Sequence, residues 1–309
     1  MDDPTLLGSL QLGILYGMLA LGVYITFRIM NVPDLTAEGS FTLGLALSAA
    51  LTIAGHPLLG LGAALLAGAA AGCVTGLLHT KLGIHPILSG ILTMSGLYSV
   101  NLLAMGNSSN LSLINSTSIF KMVGTLLPFL DKDMVKLLVA LCFTALCALL
   151  LILFFKTHIG LCIRATGDNE DMVRASSIHV DNTKILALAI SNAIIACTGA
   201  LIAQYQSFAD INSGVGILVV GLASVIIGEV LLSRRTLTGN FLAVLLGAII
   251  YRFIIALATK YTILPAYMLK LVSACIVAFA LSLPAMQKSL AMYKTRKEAQ
   301  KHAAAETNF

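Results

Sequence analysis

The side chains able to do chemistry in this chain are few and dispersed. Its six histidines, His56, His79, His85, His158, His179 and His302, are scattered over different loops. Its six cysteines, Cys73, Cys142, Cys147, Cys162, Cys197 and Cys275, lie mostly inside apolar runs. No Cys-x-x-Cys pair or Cys/His ligand spacing occurs, so metal and disulfide roles are disfavoured. The cysteines read as small residues facing lipid or a neighbouring helix. A Gly-x4-Gly-Lys-Ser/Thr loop is absent, so the chain has no P-loop of its own with which to cradle ATP. The HExxH and GxSxG patterns are absent too, as are paired carboxylates within the apolar runs. An enzyme is therefore not expected.

What remains is a set of polar side chains embedded in apolar sequence: Thr42, Ser48, Ser89, Thr93, Ser95, Asn101, Ser191, Asn192 and Ser224. Inside a membrane such groups cost free energy unless they meet a wet passage or a partner helix. Thr42, Ser48, Ser89, Thr93, Asn101, Ser191, Asn192 and Ser224 are the candidates for a translocation pathway. The alternative for each is an interhelical hydrogen bond of about 1 kcal/mol. Ser89, Thr93 and Ser95 fall near one helical face. Glu38 and Glu229 are expected near cytoplasmic span ends and Arg252 near an outer end, where snorkelling makes a charge cheap. Ion-coupled transport, which needs ionisable groups within the membrane, is disfavoured. Hydroxyls and amides suit a net-neutral solute: a zwitterionic amino acid, a sugar or a nucleoside.

The elements that carry these residues follow from composition. Of 309 residues 58% are apolar and 11% charged, and the mean hydropathy is +0.94. A soluble domain carries about 25% charged residues. Residues 4–27, 39–80, 82–120, 137–155, 185–209, 211–228, 236–251 and 271–287 contain no Asp, Glu, Lys or Arg. A spanning helix needs roughly 20 apolar residues, and these runs lack the apolar/polar alternation of a barrel strand. The expected fold is an all-α integral membrane protein, a polytopic bundle of about nine (8–10) transmembrane helices. The spans are placed at roughly 7–27, 37–53, 58–79, 84–104, 135–155, 183–203, 214–232, 237–257 and 265–286. The start Met1-Asp2-Asp3 is acidic, unlike the basic opening of a cleaved signal peptide, so the first run is kept as a span. An N-out, C-in orientation places thirteen Lys and Arg inside and six outside, as the positive-inside rule requires.

Gly68, Gly72 and Gly76 repeat every fourth residue, as do Gly13 and Gly17. Such spacing lets helix backbones approach closely, within the bundle in preference to a dimer seam. Residues 105–134 form a polar outer loop. The longest inner loop covers 156–184. Within it Gly167 can end a helix, and Asp168 or Asn169 can cap a short one over about 169–176, with Glu170 and Asp171 in its first turn. An ordinary polar loop is the alternative. Residues 1–286 read as a single membrane domain. Residues 287–309 read as a basic cytoplasmic tail resting on anionic lipid.

The loop segment Arg164-Ala165-Thr166-Gly167-Asp168-Asn169-Glu170-Asp171-Met172-Val173-Arg174-Ala175-Ser176-Ser177-Ile178 resembles a pattern of ABC-importer permeases. These are the branched-chain amino-acid and ribose permease family, whose loop carries Arg-Ala-x-Gly-x-Asn-x-x-x-Ala-x-x-x-Gly-Ile. Ser177 stands here where that glycine is usual. Lys184–Asn192, Gly199–Leu201, Ser213–Ile217 and Gly221–Glu229 continue the resemblance. The early segment Asn31-Val32-Pro33-Asp34-Leu35-Thr36-Ala37-Glu38-Gly39-Ser40-Phe41 is similar to the amino-acid subgroup linked to tryptophan or tyrosine.

The resemblance implies a permease homodimer in the bacterial plasma (inner) membrane, two cytoplasmic ATPase subunits and an extracytoplasmic solute-binding protein. It implies that the short loop helix is a coupling helix, with Arg164, Gly167, Asp168, Asn169, Glu170, Asp171 and Arg174 at the ATPase contact. No cofactor is expected on this chain. ATP and Mg would sit on the partner ATPase, and no nucleic acid is involved. An ion-coupled secondary transporter, or a permease of the same family for a sugar or nucleoside, is the alternative.

Overall fold

Proline and polar caps start the helices where the apolar runs begin. In this computed structural model the described residues are 4–232 and 236–261, with 271, 274, 275, 278 and 282 described singly. Apart from those five residues, the expected ninth span lies outside them, as does the basic tail. Pro57 and Pro86 occupy the first turns of α3 (Pro57–Thr80) and α4 (Pro86–Ala104), where the missing N–H costs nothing. The first helix, α1 (Pro4–Tyr24), runs into a π-helical turn, Ile25–Ile29, and α2 covers Thr36–Ile53. A short strand β1 (Asn110–Ser112) and an eight-residue helix α5 (Ile119–Leu126) fill the polar loop.

The long α6 (Lys132–Lys156) leads into α7 (His158–Asp168) and α8 (Glu170–Ala175). The chain then runs through α9 (Val180–Gln206), β2 (Phe208–Asp210), α10 (Ile217–Leu231) and α11 (Leu237–Tyr261). Strand β1 pairs antiparallel with β2, Asn110 opposite Asp210. The chain is a polytopic all-α membrane protein with seven helices long and apolar enough to cross a membrane among the described residues. The chain divides into two compact units, Met1–Leu257 and Ala258–Phe309, of which the first holds α1 to α10 and most of α11.

Helix α9 is the axis of this unit, packed by α1, α2 and α3. The four-residue glycine repeat of α3 lies against it. A Cβ on Gly68 or Gly72 would strike the Asn192 or Leu188 carbonyl, and one on Gly76 would stand 2.8 Å from the Ile185 Cα. Gly13 and Gly17 of α1 serve α11 in the same way, facing Ile249 and Leu245. Both repeats thus make seams within the bundle.

One expected span is shorter than anticipated. Instead of 214–232, α10 has fifteen residues, about 22 Å at 1.5 Å per residue, less than the roughly 30 Å hydrocarbon core. The preceding residues 211–216 form turns, because Gly214 and Gly216 interrupt the apolar pattern. Arg252 also departs from expectation: its guanidinium lies over the Tyr16 ring, 3.6 Å from the centroid, and takes a cation–π partner within the bundle.

Candidate functional site

Two interruptions of helix meet inside the bundle. After the π-helical turn, residues 31–34 have no regular structure, with Asn31 at φ +53° and Pro33 lacking an N–H to donate. This segment rises to Asp34, which is 4% exposed. Its carboxyl accepts the Thr36 N–H at 2.9 Å and an Asn192 Nδ2 hydrogen at 2.6 Å. Asn192 stands twelve residues into α9, about 18 Å along it. Helix α2 therefore begins beside the middle of α9, with Glu38 in its first turn at the end of the candidate span Thr36–Ile53.

The second interruption answers the first. Beyond β2 the chain turns back into the bundle, where Gly214 packs so closely on α2 that a Cβ would strike Thr42 Oγ1 and the Glu38 carbonyl. Gly216, at φ +83°, then starts α10, and its N–H donates to Glu38 Oε1 at 3.0 Å. A carboxylate at a helix N-terminus is favoured by the helix dipole and the free N–H groups. Between the two helix starts and α4 lies a cavity of about 370 Å³ lined by Glu38, Gly39, Thr42, Met94, Ser95, Tyr98, Asn101, Ile211, Gly214 and Val215. Discontinuous helices that meet at mid-membrane are a recurrent way of building a solute path, because polar backbone is tolerated there only beside a cavity.

At the end of the bundle that carries α7 and α8, these helices rest on the same interruption. Gly167 has no room for a Cβ, which would strike the Ile29 carbonyl, and Asn31 Nδ2 donates to the Gly167 carbonyl at 3.1 Å. Gly167 is thus a docking position within α7. The helix ends one residue later. Asn169 caps α8, its Oδ1 accepting the Met172 N–H at 3.0 Å. Arg28 in the π-helical turn pairs with Glu229 near the end of α10 at 2.7 Å, which ties α10 to this end. Glu170 bridges Lys184 at 2.6 Å and Arg174 at 2.7 Å. The Lys184 hydrogen bond, then that of Arg174, holds its carboxyl below the usual range.

Among the residues singled out from sequence, Arg164, Asp168, Asn169, Asp171 and Arg174 are exposed, while Gly167 and Glu170 are half-buried. Thr42, Ser95 and Asn101 line the cavity. The others do not. Ser89 and Thr93 belong to a buried hydroxyl chain in which Thr36, Thr75 and Thr93 bond at 2.7 and 2.9 Å and Thr93 donates to the Ser89 carbonyl. Ser48 donates to the Ala200 carbonyl and accepts from Gln204, and Ser191 donates to the Gly22 carbonyl. Asn192 holds Asp34, and Ser224 donates within its own helix to Val220. Asp34, Tyr98 and Met172, the last 66% exposed on α8, were not anticipated. Asp34 lay in the quoted early segment, but its burial depends on a break in helix that periodicity does not reveal.

A family profile described as "Branched-chain amino acid transport system / permease component" matches residues 5–281. A tyrosine transport system permease protein of Clostridioides difficile is 39% identical over 86% of this chain and 87% of its own. An uncharacterized protein of Rickettsia prowazekii is 35% identical, covering 72% and 76%. The autoinducer 2 import system permease protein LsrC of Yersinia enterocolitica is 28% identical, covering 78% and 63%. No solved structure matches.

Proposed function

The chain belongs to the family of branched-chain amino acid transport system permease components, and we propose that it forms the membrane path of an ABC importer for an amino acid, energised by separate ATPase subunits. One observation carries this reading. The exposed α7–α8 unit is docked through Gly167 and Asn31 onto the segment that leads to Asp34 and the cavity. A push on α8 would reach the start of α2 directly, and through Arg28 and Glu229 it would reach α10. Met172 offers an apolar plug for an ATPase groove, with Asp168, Asp171 and Arg174 around it.

In this reading α7 and α8 face the cytoplasm, β1, β2 and α5 face outward toward a solute-binding protein, and two copies of the chain pair in a bacterial plasma membrane. Residues 1–286 act as the membrane domain and 287–309 as a basic tail. An aromatic amino acid is the preferred solute, as the similarity to a tyrosine transport system permease supports. The test is reconstitution in liposomes with the ATPase and binding protein, following labelled tyrosine. Uptake that requires ATP supports the proposal. Uptake driven by an ion gradient without ATP overturns it. Glu170→Lys combined with Asp171→Lys should leave the bundle inserted yet abolish substrate-stimulated ATP hydrolysis.

A further inference from the structure

We propose that the cavity beside Glu38 is a transient subsite that takes the α-ammonium group of the travelling amino acid on Glu38 and Asn101, with its side chain against Tyr98 and Met94. This rests on the function proposed above and adds a substrate contact to it. The volume, about 370 Å³, falls in the lower part of the roughly 300–1,000 Å³ range of small-molecule sites. Its polar chemistry is biased to one sign. No Lys, Arg or His is among the residues that line it, and Glu38 has no cationic partner among the described residues. The carboxylate accepts from Gly216 through Oε1 and faces the Leu218 N–H. An ionised carboxylate offers about four lone-pair sites, so acceptor capacity remains.

Asn101 supplies the second, independent indication. The residue is 2% exposed, and its Nδ2 donates to the Gly39 carbonyl at 3.3 Å. Its Oδ1 is buried with no partner among the described residues. An orphaned buried acceptor is costly and rare in native structures. At the wall of a cavity that also holds a carboxylate, it is a place for a donor the protein itself does not provide. An ammonium group brings three N–H donors and a charge, which answers both acceptors. The rest of the wall is Met94, Ile211, Val215 and the Tyr98 ring, which is 54% exposed, a surface for an apolar or aromatic side chain. A solute with only a carboxylate would meet Glu38 as a like charge and is disfavoured.

The experiment uses the full-length permease with its six native cysteines replaced and one new thiol, Val215→Cys, at the cavity wall. Labelling by a water-soluble maleimide is timed with three probes: L-tyrosine, tyramine, which keeps the ammonium without the carboxylate, and 3-(4-hydroxyphenyl)propionate, which keeps the carboxylate alone. Tyrosine and tyramine should slow labelling by the mass-action factor, about threefold at a concentration twice the Kd, and the propionate should not. Glu38→Gln, which keeps an acceptor for the Gly216 N–H, and Asn101→Leu should each remove the protection.

Protection by the propionate equal to that by tyramine, or protection by none of the three, overturns the proposal. Should Glu38→Gln not yield folded protein, Asn101→Leu decides: full protection retained there overturns it as well. A separate pull-down of the ATPase keeps the two readings apart. A permease that binds its ATPase and transports tyrosine while the cavity ignores ammonium loses only the subsite. A permease that recruits no ATPase loses the transport reading.

Discussion

The seam between α3 and α9 and the cavity between α2, α4 and α10 lie in one membrane bundle and are built on opposite principles. Along the seam, glycines every fourth residue bring two continuous helices to backbone contact. At the cavity, two helices begin, and side chains satisfy what their starts leave open: Asp34 for the Thr36 N–H, Glu38 for the Gly216 N–H. The seam resists change because neither backbone can yield. The cavity is held by a few hydrogen bonds to side chains, each able to break and re-form.

The comparison is broken most severely at the seam. Gly72→Ala places a Cβ against the Leu188 backbone and should cost about 3 kcal/mol or more, beyond the usual overpacking penalty because backbone must move. Gly62→Ala on the same helix meets nothing within 4 Å and should stay within about 0.5 kcal/mol of the parent. Thermal unfolding in detergent compares the two, and equal midpoints would show that the seam is not close-packed. A lesser effect is expected where the inner end grips the break. Gly167→Ala should move α7 away from Ile29 and lower substrate-stimulated ATP hydrolysis about tenfold, equivalent to 1.4 kcal/mol, with the ATPase still bound.

Asp34→Ala leaves the Thr36 N–H without its acceptor and the Asn192 amide with the Leu188 carbonyl alone. This should cost about 1–3 kcal/mol, with Asp34→Asn recovering part of the loss in the same unfolding measurement. The smallest effect is electrostatic. Glu170 is held below its ordinary pKa by Lys184 and Arg174, so its contribution to anchoring α8 is present above the unfolded carboxylate value, near 4.3. That contribution is lost as pH falls through the lower folded value. A spin label at Asp171→Cys should gain mobility only below about pH 4, and Glu170→Gln should remove that transition. Because the bridge is partly exposed, its worth is under about 1 kcal/mol.

The amino-acid sequence by itself determined the membrane class, most span positions, the intramolecular use of the glycine repeats and the existence of a short capped helix after Asp168. Each follows from local quantities: apolar run length, four-residue spacing, and an Asx residue ahead of two acids. Tertiary structure alone decided the pairing of Glu38 with Gly216, the burial of Asp34, the short reach of α10 and the grouping of Thr42 with Asn101 around one cavity while Ser48, Ser191 and Ser224 pair elsewhere. A break in a helix inside a bundle is stable only because partners distant in sequence satisfy its polar groups, Asn192 holding the Asp34 carboxylate at the first interruption and Glu38 the Gly216 N–H at the second. Those partners stand 158 and 178 residues from the groups they hold, and no periodicity along the chain connects them.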